Sequence, residues 1–232
     1  RDGRSETVAG FDRNNLGNQV RLSPDGRHLA FIEQNGPLWL FDLERGGYTR
    51  VSGDGLAAAP RWHPDGRRLT FAWSPAGQMK VGQASVAEGN ETFDPLGIGE
   101  GAWPSSWSPD GRFLALVGST RGTGNDILIY RVSDRKTAPF LNSRAIELYP
   151  EFSPDGRWLA YVSDESGRNE VYLRSFPDPS RKVRVSNDGG DQPAWSPDMR
   201  ELFFVSLPPR KLMKVDLRFS PDLVSWSTKM KP

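Results

Sequence analysis

Only two histidines, His28 and His63, and no cysteine occur among the 232 residues, so the side chains that most often bind transition metals or act as bases near neutral pH are almost absent. Both histidines sit in or beside a recurring turn with no partner at metal-ligand spacing, and they read as surface decoration of that turn. Nucleophilic hydrolysis on a strand-turn-helix elbow needs Gly-x-Ser-x-Gly, which the chain lacks. A phosphate loop of the Gly-x-x-x-x-Gly-Lys kind is absent too, and Gly118-Ser119-Thr120-Arg121-Gly122-Thr123-Gly124 leads into a strand, so it reads as a loop. The pattern left is a series of aspartates at 25, 65, 110, 155 and 198, which suggests calcium until their spacing is considered. They stand one per turn, and each has a local bonding task. No metal site and no cofactor are expected, and the chain alone is not expected to be an enzyme.

Those aspartates belong to a repeated tetrapeptide: Ser23-Pro24-Asp25-Gly26, His63-Pro64-Asp65-Gly66, Ser108-Pro109-Asp110-Gly111, Ser153-Pro154-Asp155-Gly156 and a worn copy, Ser196-Pro197-Asp198-Met199. Proline presets φ for the first central turn position, Asp bonds back to nearby amides, and Gly takes a left-handed φ. Met199 in that place predicts a strained or differently shaped fifth turn. An apolar residue precedes each copy (Leu22, Trp62, Trp107, Phe152, Trp195), and an arginine and an apolar run follow, as in Arg157-Trp158-Leu159-Ala160-Tyr161-Val162. This is strand, tight turn, strand. The arginines (Arg27, Arg67, Arg112, Arg157, Arg200) offset nearby carboxylates.

A third apolar run (Leu38–Phe41, Ile127–Tyr130, Val171–Leu173, Leu212–Val215) and a more polar fourth one (Tyr48–Val51, Lys182–Val185) complete each repeat. The aspartates are 40 (25 to 65), 45 (65 to 110), 45 (110 to 155) and 43 (155 to 198) residues apart, the length of one four-stranded propeller blade. The fold class is therefore all-β: a β-propeller of four-stranded antiparallel blades, about five of them visible. Their approximate bounds are 18–52, 58–96, 102–141, 148–186 and 191–232, within one domain spanning 1–232. The second blade is the weakest copy, because Met79–Gln83 is a poor third strand. Ser74-Pro75-Ala76-Gly77 and Ser220-Pro221-Asp222 fall off the period and read as loops. Residues 1–17 hold a stray outer strand, Glu6–Ala9, and a linker. The strands either close by pairing that stretch with the last blade or form part of a six-bladed or larger ring.

Thirty basic against 29 acidic residues leave a net charge of +1, so no long-range field favours nucleic acid or an anionic membrane as a partner. No apolar stretch is long enough to span a bilayer as a helix, and no membrane insertion within this chain is expected. The first residue is Arg1, which suggests a piece excised from a longer protein.

Trp-Ser-Pro-Asp-Gly-Arg followed by Leu-Ala-Tyr-Val at blade period resembles the TolB-like Pro-Asp propeller repeat, a relative of the WD-type blade. The resemblance spans nearly the whole chain and is specific for fold and unspecific for function. Asn169–Pro177 and Val185–Trp195 look like the propellers found C-terminal to bacterial serine/threonine kinase domains, which implies a further blade beyond Lys231-Pro232. The TolB resemblance also implies a periplasmic or extracytoplasmic setting.

Function is expected where the repeat stops being regular, on the rim opposite the tetrapeptide turns. Its candidates for a protein, peptide or glycan ligand are Trp103, Arg121, Tyr149, Arg168, Asn169, Asp191 and Gln192. Trp103 lies outside the repeat position, in the loop Glu100-Gly101-Ala102-Trp103 that enters the third blade, and suits an exposed platform, whereas Trp62, Trp107 and Trp195, with Trp39 and Trp158 inside strands, are read as packing between blades. Gln19, Ala59, Pro104, Tyr149 and Gln192 start the innermost strands and are expected to line the central channel. The leading expectation is a binding or sensing module of a bacterial kinase-like or TolB-like protein. A substrate-gating propeller of a prolyl-oligopeptidase-like serine peptidase is the alternative. A propeller lyase or lactonase would need channel-facing histidines or acids, which histidines placed at turns do not supply.

Overall fold

The computed structural model describes residues 8–11, 16–86, 93–119, 124–219 and 224–227. Among them are five four-stranded antiparallel sheets, each running in simple consecutive order. The first holds β1 (Leu16–Leu22), β2 (His28–Glu33), β3 (Leu38–Asp42) and β4 (Tyr48–Arg50), and the second β5 (Leu56–Trp62), β6 (Arg68–Ser74), β7 (Lys80–Ser85) and β8 (Asp94–Pro95). The third holds β9 (Trp103–Trp107), β10 (Phe113–Gly118), β11 (Asp126–Arg131) and β12 (Lys136–Leu141). The fourth holds β13 (Glu147–Phe152), β14 (Trp158–Ser163), β15 (Glu170–Ser175) and β16 (Lys182–Arg184), and the fifth β17 (Asp191–Trp195), β18 (Glu201–Val205), β19 (Leu212–Phe219) and β20 (Val224–Ser227). The fold class is all-β, and each sheet is a propeller blade. No helix among the described residues is long and apolar enough to cross a membrane.

The chain divides into two compact units, Arg1–Trp103 and Pro104–Pro232. In the first unit Ala30, Leu38 and Leu40 pack against Leu69, Phe71 and Ala84 of the next blade. In the second, β14 shows how one strand serves two interfaces. Successive side chains point to opposite faces, so Leu159 and Tyr161 join Ala115 and Ile127 of the third sheet, while Trp158, Ala160 and Val162 join Leu202 and Phe204 of the fifth. All six residues of β14 are buried, as a strand covered on both faces requires. The fourth strands are edges and are polar accordingly: Lys136, Thr137, Ala138 and Pro139 of β12 are all exposed. Charge and proline there discourage edge pairing.

The repeated turn is held by one hydrogen-bond plan. In the third blade the Ser108 hydroxyl donates to Asp110 Oδ1 at 2.6 Å and accepts the Phe113 amide at 3.0 Å, while Asp110 Oδ1 also accepts the Arg112 amide at 3.0 Å. The first, fourth and fifth turns repeat it. The glycines hold φ between 68° and 74°, and Met199 holds φ 61° with the same bonds, so the fifth turn keeps the shared shape and carries the backbone strain.

In the second blade histidine replaces serine. The reading of His63 as surface decoration is corrected: its side chain is buried, with Nδ1 2.9 Å from Asp65 Oδ2 and Nε2 3.1 Å from the Arg68 guanidinium. Met79–Gln83 reads poorly as a strand for a related reason. A Cβ at Gly82 would lie 2.5 Å from the Phe93 ring and 2.6 Å from the Asp94 carbonyl, so the position must stay bare for the fourth strand to close on β7.

Of the expected outer strand Glu6–Ala9, residues 6 and 7 lie outside the described residues, and Val8 and Ala9 are not in a strand. The loop expected at Ser220–Asp222 also lies outside them.

Candidate functional site

Three of the innermost strands share an irregularity within the strand, so Ala59, Tyr149 and Gln192 do not start their strands as expected but sit inside them. Pairing between β5 and β6 slips between Ala58 and Arg61, between β13 and β14 from Leu148 to Glu151, and between β17 and β18 from Asp191 to Ala194. In each case two residues face one, which is a β-bulge. The first bulged residue has a left-handed backbone without being glycine: Ala59 (φ 51°), Tyr149 (φ 52°) and Gln192 (φ 51°). Each precedes a buried proline, Pro60, Pro150 or Pro193. At Pro104 this geometry cannot form, because the ring fixes φ near −65°. In the first unit the Gln19 side chain accepts the Ala59 amide and so closes the bulge of the neighbouring blade.

Tyr149 is 42% exposed and Gln192 is exposed. The side chain of Asp191, half-buried, accepts the Gln192 amide at 2.9 Å. Trp103, 41% exposed, is the first residue of β9 and not part of the preceding loop. Arg121 lies outside the described residues.

Arg168 and Asn169 prove to be structural fastenings as well as rim residues. Asn169 offers its carbonyl to the Gly190 amide at 2.9 Å, which ties the fourth sheet to the start of the fifth. Arg168 binds the fully buried Glu170 through Nε at 2.9 Å and reaches the Asn187 carbonyl and, at 3.4 Å, Asp188. Glu170 also receives Arg184 Nη2 at 3.0 Å, the Gly189 amide at 3.2 Å and the Ser186 hydroxyl. Burial pushes its carboxyl up, but the bonds from Ser186, Gly189 and Arg168 and the charge of Arg184 outweigh that and hold it below the usual carboxylate range. This clamp was missed from sequence.

Two of the cavities among the described residues lie in the second unit. The larger, about 770 Å³, lies at the turn end between the fourth and fifth sheets, with Trp158, Phe176, Met199 and Phe219 as its apolar floor and Asp155, Arg157, Asp198 and Arg200 at its mouth. Arg157 and Asp155 pair with each other there at 2.7 Å. The smaller, about 340 Å³, lies between β12 and the fourth sheet. No group of three or more His, Asp or Glu among the described residues is placed to hold a metal ion.

A model of the TolB beta propeller domain matches residues 99–222, just over half of the chain. The chain belongs to the TolB beta propeller family. It is similar, at 26% identity over 200 residues, to a Bacillus subtilis (strain 168) protein described as the uncharacterized peptidase YuxL. That match covers 79% of this chain and 28% of the relative, so the chain spans little more than a quarter of that protein's length. Among solved structures it resembles a putative TolB from Agrobacterium tumefaciens with a TM-score of 0.70 and 22% identity, covering 89% of this chain and 78% of that one. A chain from a study of two prolyl endopeptidases aligns with a TM-score of 0.62 and 14% identity over 93% of this chain and 43% of its own length. These two likenesses speak to the TolB-like fold alone.

Proposed function

We propose that this TolB-family propeller is a non-catalytic recognition module that binds a peptide, glycan or protein partner at the bulges of its innermost strands. The observation that carries this reading is Tyr149. A non-glycine residue in the left-handed region costs about 1–2 kcal/mol, and a side chain left 42% exposed is only partly repaid by packing. Glycine would serve the backbone better. A tyrosine held there by strain, with Gln192 at the same place in the next blade, suits contact with something outside the chain. A kinase-like neighbour remains part of this reading only through the resemblance at Asn169–Pro177 and Val185–Trp195.

The test is a screen of the chain against peptide and glycan arrays, with hits quantified by calorimetry. Tyr149→Ala and Gln192→Ala should each weaken binding at least about tenfold, as loss of an interface anchor does, while Arg157→Ala at the turn end should leave it unchanged. Hits indifferent to the first two variants would place recognition elsewhere. Arg168→Ala is unsuitable for this purpose, because it opens the Glu170 clamp.

A second reading, a propeller that screens substrates for an attached serine hydrolase, is favoured by the match to a protein named as a peptidase that is several times longer than the matched region. Labelling the full-length gene product with a fluorophosphonate tests it. A labelled serine in a Gly-x-Ser-x-Gly segment outside this chain supports the gating role, and absence of labelling excludes it.

A further inference from the structure

Two residues that line the smaller cavity each carry a buried polar atom, and the two atoms have opposite needs. Glu147, at the start of β13, is 3% exposed, and its Oε2 has no hydrogen-bond partner. Its other oxygen receives the Ser143 hydroxyl at 2.6 Å. Arg174 of β15 uses Nη1 to hold the Pro179 carbonyl at 2.9 Å, but its Nε is buried and unpartnered. Both residues line the same space of about 340 Å³, whose remaining wall is mixed: Phe140, Leu141, Pro179 and the ring of Tyr161 are apolar, and Asn142, Ser143 and Glu165 are polar. Buried polar groups are almost always paired. An acceptor and a donor left open in one cavity are a complementary pair of anchors.

We propose that this cavity binds a small apolar α-amino acid, its ammonium received by Glu147 and its carboxylate by Arg174. The size of the cavity is at the small end of ligand sites. Acids surround the ammonium end: Asp126 on β11, and Asp164 and Glu165 after β14 all add negative potential at Glu147, although Glu165 is itself paired with Lys182 of β16. The apolar part of the wall suits an aliphatic side chain. Both open atoms are closed off in the unliganded chain, so an entering ligand must first displace the Ser143 hydroxyl, carried by an exposed loop residue, before Glu147 can turn its open oxygen to the ammonium.

Burial, together with the nearby acids, pushes the Glu147 carboxyl up. A bound ammonium favours the ionised form, so binding expels a proton and strengthens as pH rises through the carboxyl's value. Arg174 also bonds the Tyr161 hydroxyl.

Calorimetry of the intact chain with L-leucine, isocaproate (no amine) and isoamylamine (no carboxylate) tests this. L-leucine should bind at least about tenfold tighter than either analogue, one order of magnitude being the discrimination expected when a buried charged contact is lost. Its enthalpy should vary with buffer ionisation heat in the wild type and not in Glu147→Gln. Glu147→Gln and Arg174→Gln should each weaken binding by a similar factor. No binding of L-leucine, equal binding of either analogue, or unchanged binding by Glu147→Gln would each overturn the proposal. The analogue series needs no variant, so a folding defect cannot mask the result, and the outcome is independent of the array screen for the bulges.

Discussion

Glu170 and Glu147 are two glutamates sealed from water in the same sheet, at 0% and 3% exposure, and they are treated in opposite ways. Glu170 opens β15 and is met by two guanidinium groups, a hydroxyl and an amide. Glu147 opens β13 and has one hydroxyl and acids for neighbours. The bonds to the first carboxylate outweigh the cost of burying its charge, and it fastens the loop Asn187–Gly190 to its blade. The second is uncomfortable as an anion and sits beside open space. A buried charge with its partners supplied is part of the frame, and one without them is a place where the molecule is unfinished on its own.

The largest effect that would break this contrast is expected at the clamp. Glu170→Gln should lower unfolding stability in urea at pH 7 by about 2–3 kcal/mol, below the full value for breaking a buried pair because the two arginines are partly exposed and regain water. A loss within about 0.5 kcal/mol would mean that the bonds to Glu170 do not act as a charge network. A smaller change of opposite sign is expected at Glu147. Without ligand, Glu147→Gln should raise stability by about 1 kcal/mol at pH 7, since the amide removes a disfavoured buried charge. A loss of that size instead would show that the wild-type carboxylate is satisfied.

The smallest effect is in the pH dependence, followed by melting temperature from about pH 7 down to pH 3.5, across the ordinary carboxylate range. The carboxyl of Glu170 is held low in the folded chain, so its contribution is complete above its unfolded value and drains away as pH falls through the folded one. That of Glu147 is held high, so its cost is present while it is ionised and fades as pH falls through its folded value. The advantage of Glu147→Gln should therefore vanish on mild acidification, before the deficit of Glu170→Gln begins to shrink. Parallel curves for the two variants would remove the distinction.

The turns were readable because each is local. Ser23, Asp25 and Gly26, or Ser153, Asp155 and Gly156, interact within a few residues, so residue types at fixed offsets carry the geometry. The bulges had a readable signal that was passed over. Pro60, Pro150 and Pro193 each stand four residues before a turn proline, at 64, 154 and 197, and mark the strained residue just ahead. The clamp had no such signal. Arg168, Glu170, Arg184 and Ser186 meet only because β15 pairs with β16 in the register Tyr172↔Arg184. Arg168 therefore looked like a free rim residue when it is a partner of Glu170. His63 was misjudged for a similar reason, since its exposure depends on the Arg68 and Asp65 side chains folding over it.

Residue order is enough to dictate a repeat of four-stranded blades, because the hydrogen bonds of each turn close within a handful of residues and the strands between them alternate in polarity. Tertiary structure alone decided which buried acids are satisfied. A carboxylate's partners come from strands and loops tens of residues away, and only packing brings two arginines to Glu170 and leaves Glu147 facing a cavity.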